Sequence, residues 1–381
     1  MIKYANLGLD KQLNEIVIVG SHDAGVTGGD PNTQTQSLDI FGQAEAGVRF
    51  FDIRITGAVV KKGGASDVVT LKAYHGKGPS STKTAVDLRT GQTGKVEVKS
   101  LWGGDFGLSL TNILNDALRF VTKNSTEFLI LKFDKCANWD MIADACRSIL
   151  GSALLSGRNL NTATLRELQG KVICAFMTKG YTSLKLPGQN AGISHITNLY
   201  KPPAGYSRTF PGLQYWGSGG TPINNHGFEK KIGDNISKQT KILTSASTGI
   251  SEKKRTFKKN IPGCSPADPN AIGMMYWTTT GVNKSIKERN ELMWDKDHRG
   301  GLEELWRTGF ASYINNALPK SVDACSFSSG GTLKLFMPNI VMIDFADEDK
   351  CEYIYGLNTV AAIELVKICQ KLDIHGGHNS L

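Results

Sequence analysis

The chain has 381 residues, 40% of them hydrophobic, a formal charge of +9 and seven Cys at irregular spacing. That length suits one large α/β barrel or two ordinary domains, with apolar content enough for a substantial core. A membrane-spanning helix is excluded, since no apolar run reaches eighteen residues. An odd Cys count without Cys-x-x-Cys spacing argues against a disulfide framework or a zinc site.

The basic balance fits an anionic partner, nucleic acid or lipid headgroups, or no partner in particular. No RRM, KH or zinc-finger pattern occurs, so nucleic acid is not the expected one. Met1–Asn6 opens without a long apolar segment or a cleavage site, so no secretory signal peptide is expected. Cytoplasmic action and export by a signal-less route, as an effector for example, both stay open.

Apolar runs bounded by turn residues recur at Ile16–Val19, Val48–Ile55, Val69–His75, Phe128–Asp134, Lys171–Phe176, Gly212–Trp216, Ile272–Thr278 and Asn339–Phe345. Near-continuous Val, Ile and Phe is the pattern of strands buried on both faces. Helix-period stretches lie between several of them, as at Leu108–Thr122 and Trp139–Leu150, and Leu357–Leu372 after the last reads similarly. Eight strands interspersed with helices predict a TIM-type (β/α) barrel, distorted or incompletely closed in one version, with an open doubly wound sheet as the alternative.

No composition break marks a second domain, so residues 1–381 read as one unit with insertions at 76–107 and 221–270. The first insertion, rich in Gly, Ser, Thr and Lys, carries Trp102 and Phe106. The second holds five cations, Lys253, Lys254, Arg255, Lys258 and Lys259, around Phe257. An aromatic beside cations suits an anionic membrane surface, and a solvated loop explains it as well.

Alternate residues of a strand share a face. Asp52 and Arg54 therefore point one way from Val48–Ile55, and Lys132 and Asp134 one way from Phe128–Asp134. His22, Asp23, His75 and Asp344 also come at or just past the end of an apolar run. Singly, each has a bland explanation as a turn residue or an internal ion pair. Together they put polar groups at the end of a barrel where active sites lie, and there burial without partners is costly. Two histidines, an arginine and nearby carboxylates suffice for phosphodiester cleavage without a metal.

Ser21-His22-Asp23-Ala24-Gly25, then Val48-Arg49-Phe50-Phe51-Asp52-Ile53-Arg54, then His75-Gly76, resembles the X domain of phosphatidylinositol-specific phospholipase C, in its bacterial form. The likeness continues through Phe128–Asp134, Leu168–Ile173 and Ile340–Phe345. It implies cleavage of an inositol phospholipid by attack of the ring's own 2-hydroxyl, giving diacylglycerol and a cyclic inositol phosphate. His22 would be the general base, oriented by Asp344, and His75 the general acid, assisted by Asp23. Arg54 would clamp the phosphate. Lys132 and Asp134 match positions that contact ring hydroxyls, with Asp52 beside them.

The resemblance further implies no cofactor and no metal, since calcium-dependent relatives carry a carboxylate where this chain has Arg54. It implies a peripheral, monomeric enzyme of lipid metabolism. The chain departs from the pattern after Lys171–Phe176, where an arginine is expected and Lys179 is the nearest cation. Tyr215 and Trp216 are candidates for the aromatic on the inositol face. Two other readings remain: a metal-dependent phosphodiesterase of the glycerophosphodiesterase or sphingomyelinase D type, and a non-catalytic phosphoinositide- or membrane-binding barrel.

Overall fold

A computed structural model describes residues 1–62, 66–201, 212–219, 232–246, 271–279, 285–325 and 337–371. After β1 (Ile18–Ser21) and β2 (Val48–Ile53) the chain leaves for β3 (Ile55–Lys61), β4 (Asp67–Gly76), β5 (Ser80–Asp87), β6 (Thr93–Lys99) and β7 (Gly104–Ser109). It then returns through β8 (Phe128–Phe133), β9 (Lys171–Met177), β10 (Ile193–Asn198), β11 (Leu213–Trp216), β12 (Ile272–Trp277) and β13 (Ile340–Ile343). The barrel is closed, in the order β1-β13-β12-β11-β10-β9-β8-β2, and its pairings are parallel. Parallel neighbours need crossover connections, and helices such as Leu110–Lys123, Trp139–Leu150 and Ile232–Ala246 supply them.

Local chemistry explains the elements. Ser109 caps the helix Leu110–Lys123 by accepting from the Asn112 N–H, and Leu110, Ile113, Leu114, Ala117 and Phe120 form its buried stripe. The barrel strands β2 and β8 are buried at every position, which the continuous apolar runs anticipate. Among the described residues no helix is long and apolar enough to cross a membrane. Cys136, Cys146, Cys174 and Cys351 are buried free thiols.

Seven of the eight predicted runs coincide with barrel strands. The exception is Val69–His75, which lies in β4, outside the barrel. The eighth barrel strand is β10, Ile-Ser-His-Ile-Thr-Asn, whose polar residues hide it from an apolar-run criterion. Its His195 faces the outer layer, where it stacks on Tyr181 with ring centroids 4.7 Å apart and meets the Thr178 hydroxyl at 2.9 Å.

Segment 76–107 is strand rather than loop. β3, β4, β5 and β6 pair in a ring, β3 with β4, β4 with β5, β5 with β6 and β6 with β3. The ring encloses a small core of Val69, Ala85, Val96 and Val98, and β7 extends it along β4. Its Val and Ala positions alternate with Thr and Lys, the pattern of a strand buried on one face. Of segment 221–270, residues 232–246 form a helix, and the rest lies outside the described residues.

Candidate active site

The barrel's register assembles the mouth. Ser21 pairs with Ile343 on one side and with Phe51 on the other, so the next residues, His22, Asp344 and Asp52, emerge side by side. Asp52 pairs with Lys132 across β2 and β8, and the Lys132 ammonium donates to Asp52 Oδ1 at 2.8 Å. Arg54 is the single residue between β2 and β3, where the chain turns out of the barrel.

Loops at this end carry unusual backbone. Asp23, Lys135 and Phe345, shortly after β1, β8 and β13, have φ of 45°, 52° and 49°. Left-handed non-glycine residues are uncommon, cost free energy and cluster at functional sites. At Asp23 this kink sits at the mouth itself. Thr35 holds it there, its hydroxyl donating to the Asp23 carbonyl at 2.8 Å.

Asp23 is the hub. Its Oδ1 lies 2.6 Å from Arg54 Nε, an ion pair rather than an aligned hydrogen bond. Its Oδ2 lies 3.5 Å from His22 Nε2 and 3.7 Å from His75 Nε2. The other ring nitrogens are committed elsewhere: His22 Nδ1 to Asp344 Oδ1 at 3.0 Å, and His75 Nδ1 to the Thr33 carbonyl at 2.7 Å. Both Nε2 atoms thus flank one carboxylate oxygen. The side chains of Asp23 and Asp344 are 1% exposed, whereas His22, Arg54 and His75 reach solvent at 13%, 22% and 20%. The titratable tips therefore face the opening, with the acidic groups behind them.

Burial alone would depress the His22 imidazolium, but Asp23 and Asp344 outweigh it, and the net shift is upward from 6.5. Burial would raise the Asp23 carboxyl, and Arg54, His22 and His75 together hold it below its ordinary value. Burial pushes Asp344 up, against the pull of His22. Lys132, despite its burial, is held well above the ordinary lysine value by Asp52, Tyr276, Tyr215 and Asp134. The mouth therefore holds fixed cations at Arg54 and Lys132 beside an imidazole with strengthened basicity.

No family model matches the chain, and no curated protein does. Its structure is similar to bacterial phosphatidylinositol-specific phospholipases C. With the enzyme of Listeria monocytogenes it shares 15% identity over 91% of this chain and 94% of that one, at a TM-score of 0.45. With a mutant of the Staphylococcus aureus enzyme it shares 16% identity over 92% and 96%, at a TM-score of 0.47.

The structure brings His22, Asp23, Asp52, Arg54, His75, Lys132, Asp134 and Asp344 to one end of the barrel. Asp134 lies 3.5 Å from the Lys132 ammonium. A cavity of about 310 Å³ opens beside Arg54, with Tyr74, Lys99, Asp134, Trp139 and Lys179 in its lining. Lys179 thus lines that cavity.

Tyr215 is buried beside Lys132, which lowers its phenol against burial; the balance leaves it at about 12. Trp216 does not belong to the site. Its indole N–H donates to the Ile242 carbonyl at 2.9 Å, in the helix outside the barrel, as strand alternation demands of Tyr215's neighbour. Trp102 is 81% exposed and adjoins Leu101 at 66%. Phe106 is half-buried against Tyr74, ring centroids 5.1 Å apart, so it braces β4 instead of presenting an apolar face. Lys253, Lys254, Arg255, Lys258 and Lys259 lie outside the described residues.

Four contributors carry no chemical signature in the sequence. Tyr276 stands edge-on to His22 at 6.0 Å, next in the chain to Trp277, whose N–H donates outward to Met293. Buried Gln36 donates to the His22 carbonyl at 3.0 Å and accepts from the Ala346 N–H at 2.9 Å, tying β1 to β13. Thr33 and Thr35 lie on the same returning loop. Strand parity could have singled out Tyr276; nothing in the sequence marks the loop residues.

Proposed function

We propose that the chain is a phosphodiesterase of the phosphatidylinositol-specific phospholipase C type. One observation carries the reading: two imidazole Nε2 atoms flank Asp23 Oδ2 while Arg54 holds the other oxygen. His22, with Nδ1 anchored on Asp344, takes the proton of the inositol 2-hydroxyl through Nε2 as that oxygen attacks phosphorus. Imidazole suits this work because its proton affinity lies near ambient pH. Arg54 offsets the charge that develops on the phosphoryl oxygens. His75 Nε2 gives its proton to the diacylglycerol oxygen as the P–O bond breaks. The products are diacylglycerol and a cyclic inositol phosphate. Asp52, Lys132 and Asp134, with Tyr215 and Lys179 nearby, form the surface for the polyhydroxylated ring.

Leu101 and Trp102 are the proposed membrane contact. They sit on the turn between β6 and β7, and pairing of Gly76 with Gly104 places that turn close to His75. An exposed Trp beside Lys99 suits an anionic lipid surface and would bring the acid to the headgroup boundary.

A metal-dependent reading has one supporting feature: donor atoms of His22, Asp23 and Asp52 lie within 4.8 Å of one another. Both carboxylates already face a cation, Arg54 and Lys132, so an added ion would have to displace or repel one of them. The deciding test is phosphorus NMR on phosphatidylinositol vesicles treated with protein in excess EDTA. A five-membered cyclic phosphate signal is expected, and it should vanish in His22→Ala and His75→Ala. Cleavage only with added divalent ion would favour the metal site; binding without cleavage would make the barrel a lipid-binding module.

A further inference from the structure

We infer that Asp105, on a strand outside the barrel, is a positioning residue that fixes the tautomer of His75. The inference uses the reading of His75 as general acid only for its activity readout. A backbone carbonyl can only accept, so the 2.7 Å contact between His75 Nδ1 and the Thr33 oxygen places a hydrogen on Nδ1 in both charge states. Nε2 is then the only ring atom that exchanges a proton. When it gives that proton to the departing ester oxygen, the ring left behind is the neutral Nδ1–H form, the one the carbonyl stabilises. A flipped ring would turn Nδ1 toward Asp23, and the opposite tautomer would set the bare Nδ1 lone pair against the Thr33 carbonyl oxygen.

Asp105 is what holds the Thr33 carbonyl in place. Its Oδ2 accepts from the Asp30 N–H at 2.9 Å and lies within hydrogen-bond reach of the Thr33 hydroxyl. A turn built on Asp30 completes the support, with the Thr33 N–H donating to the Asp30 carbonyl at 2.8 Å and the Asn32 N–H to Asp30 Oδ1 at 2.8 Å. Asp105 stands directly opposite His75 in the antiparallel β4–β7 pair, so the two side chains leave the same face of neighbouring strands. One carboxylate thereby ties the loop after β1 to β7, the strand paired with the one that carries the histidine. Gly29 permits the approach: its φ is +108°, and a Cβ there would lie 2.8 Å from the Asp105 carboxyl carbon.

The test reads the ring directly. Nitrogen-15 NMR of neutral His75 should show the Nδ1–H tautomer in wild type and a mixture in Asp105→Ala, whose kcat should fall about 10- to 100-fold with KM little changed. Asp105→Asn, which keeps an acceptor oxygen, should recover most of both. Thr33→Val removes only the hydroxyl and should shift the tautomer partway; it decides the matter if Asp105→Ala does not fold. An unchanged tautomer and kcat in a folded variant overturns the latch. A tautomer shift in a protein that cleaves no phosphodiester supports the latch and sinks the functional reading instead.

Discussion

His22 Nδ1 lies 3.0 Å from Asp344 Oδ1, although the two residues are 322 positions apart in the chain. Parallel pairing of β1 with β13 sets them side by side, and under the proposed mechanism Asp344 sets which nitrogen of His22 meets substrate. Asp344→Asn should lower kcat about 10²- to 10⁴-fold, the range of a lost acid–base contribution. The pH dependence has a definite sign. Asp23 and Asp344 overcome burial to raise His22 above 6.5, so the neutral base is lost as pH falls through that raised value. In Asp344→Asn the acidic limb of the kcat/KM profile should move to lower pH. The stabilisation from protonated His22 runs the other way: fully present below 6.5, it is lost as pH rises through the raised value.

Arg54 stands between the leading reading and the metal-dependent one. Arg54→Gln should cost about 10²- to 10³-fold in kcat, as removal of a charge-stabilising donor does. Arg54→Lys keeps the charge but not the planar fork, so it should fall between the two. Full activity in both variants would argue against a guanidinium at the phosphate. Steady-state rates on vesicles in EDTA provide the measurement.

The Asp52–Lys132 pair is almost wholly buried, and cutting it from one side leaves an uncompensated charge. Lys132→Met should destabilise the fold by about 3–5 kcal/mol. The double variant with Asp52→Asn should regain much of that loss, because neither charge of the pair remains. Denaturant unfolding of the single and double variants gives the coupling directly. Additive losses would mean the pair is not coupled.

A second buried pair lies away from the mouth. Arg49 Nε donates to Glu127 Oε2 at 2.9 Å, and other guanidinium hydrogens go to the Ala44, Val48 and Ile2 carbonyls. Its guanidinium also lies against the Tyr4 and Phe120 rings at 5.1 and 4.8 Å. Glu127→Ala should cost about 3–5 kcal/mol of stability. Well below its melting temperature, kcat should stay within about twofold of wild type. A large kcat loss in the folded variant would show that this pair shapes the mouth.

Trp102, 81% exposed, lies on the turn between β6 and β7 that the Gly76–Gly104 pairing brings near His75. Trp102→Ala should weaken binding to anionic vesicles about tenfold or more, from apolar burial worth roughly 1.5–3 kcal/mol. Phe106→Ala should cost less binding and more stability, since its ring packs on Tyr74. Vesicle sedimentation alongside thermal melts separates the two effects.

By itself, the sequence determined the barrel and the polar end of it. Runs such as Phe128–Phe133 are apolar on both faces, which only a covered parallel sheet tolerates. Charged residues at the ends of such runs must pair or line a cavity, which marked His22, Arg54, Lys132 and Asp344 without coordinates. Polar β10 was invisible to that rule, and Val69–His75, which alternates with Thr70 and Lys72, belongs instead to the appended sheet, buried on one face. The partnerships were decided by tertiary structure alone. Asp23 reaches both histidines because its backbone turns left-handed; Trp216 faces outward because its neighbour Tyr215 faces in. Thr33, Gln36 and Asp105 are ordinary polar residues along the chain. They matter because a loop and an appended strand fold back over the mouth, and hydrogen bonds between distant segments leave no local pattern to read.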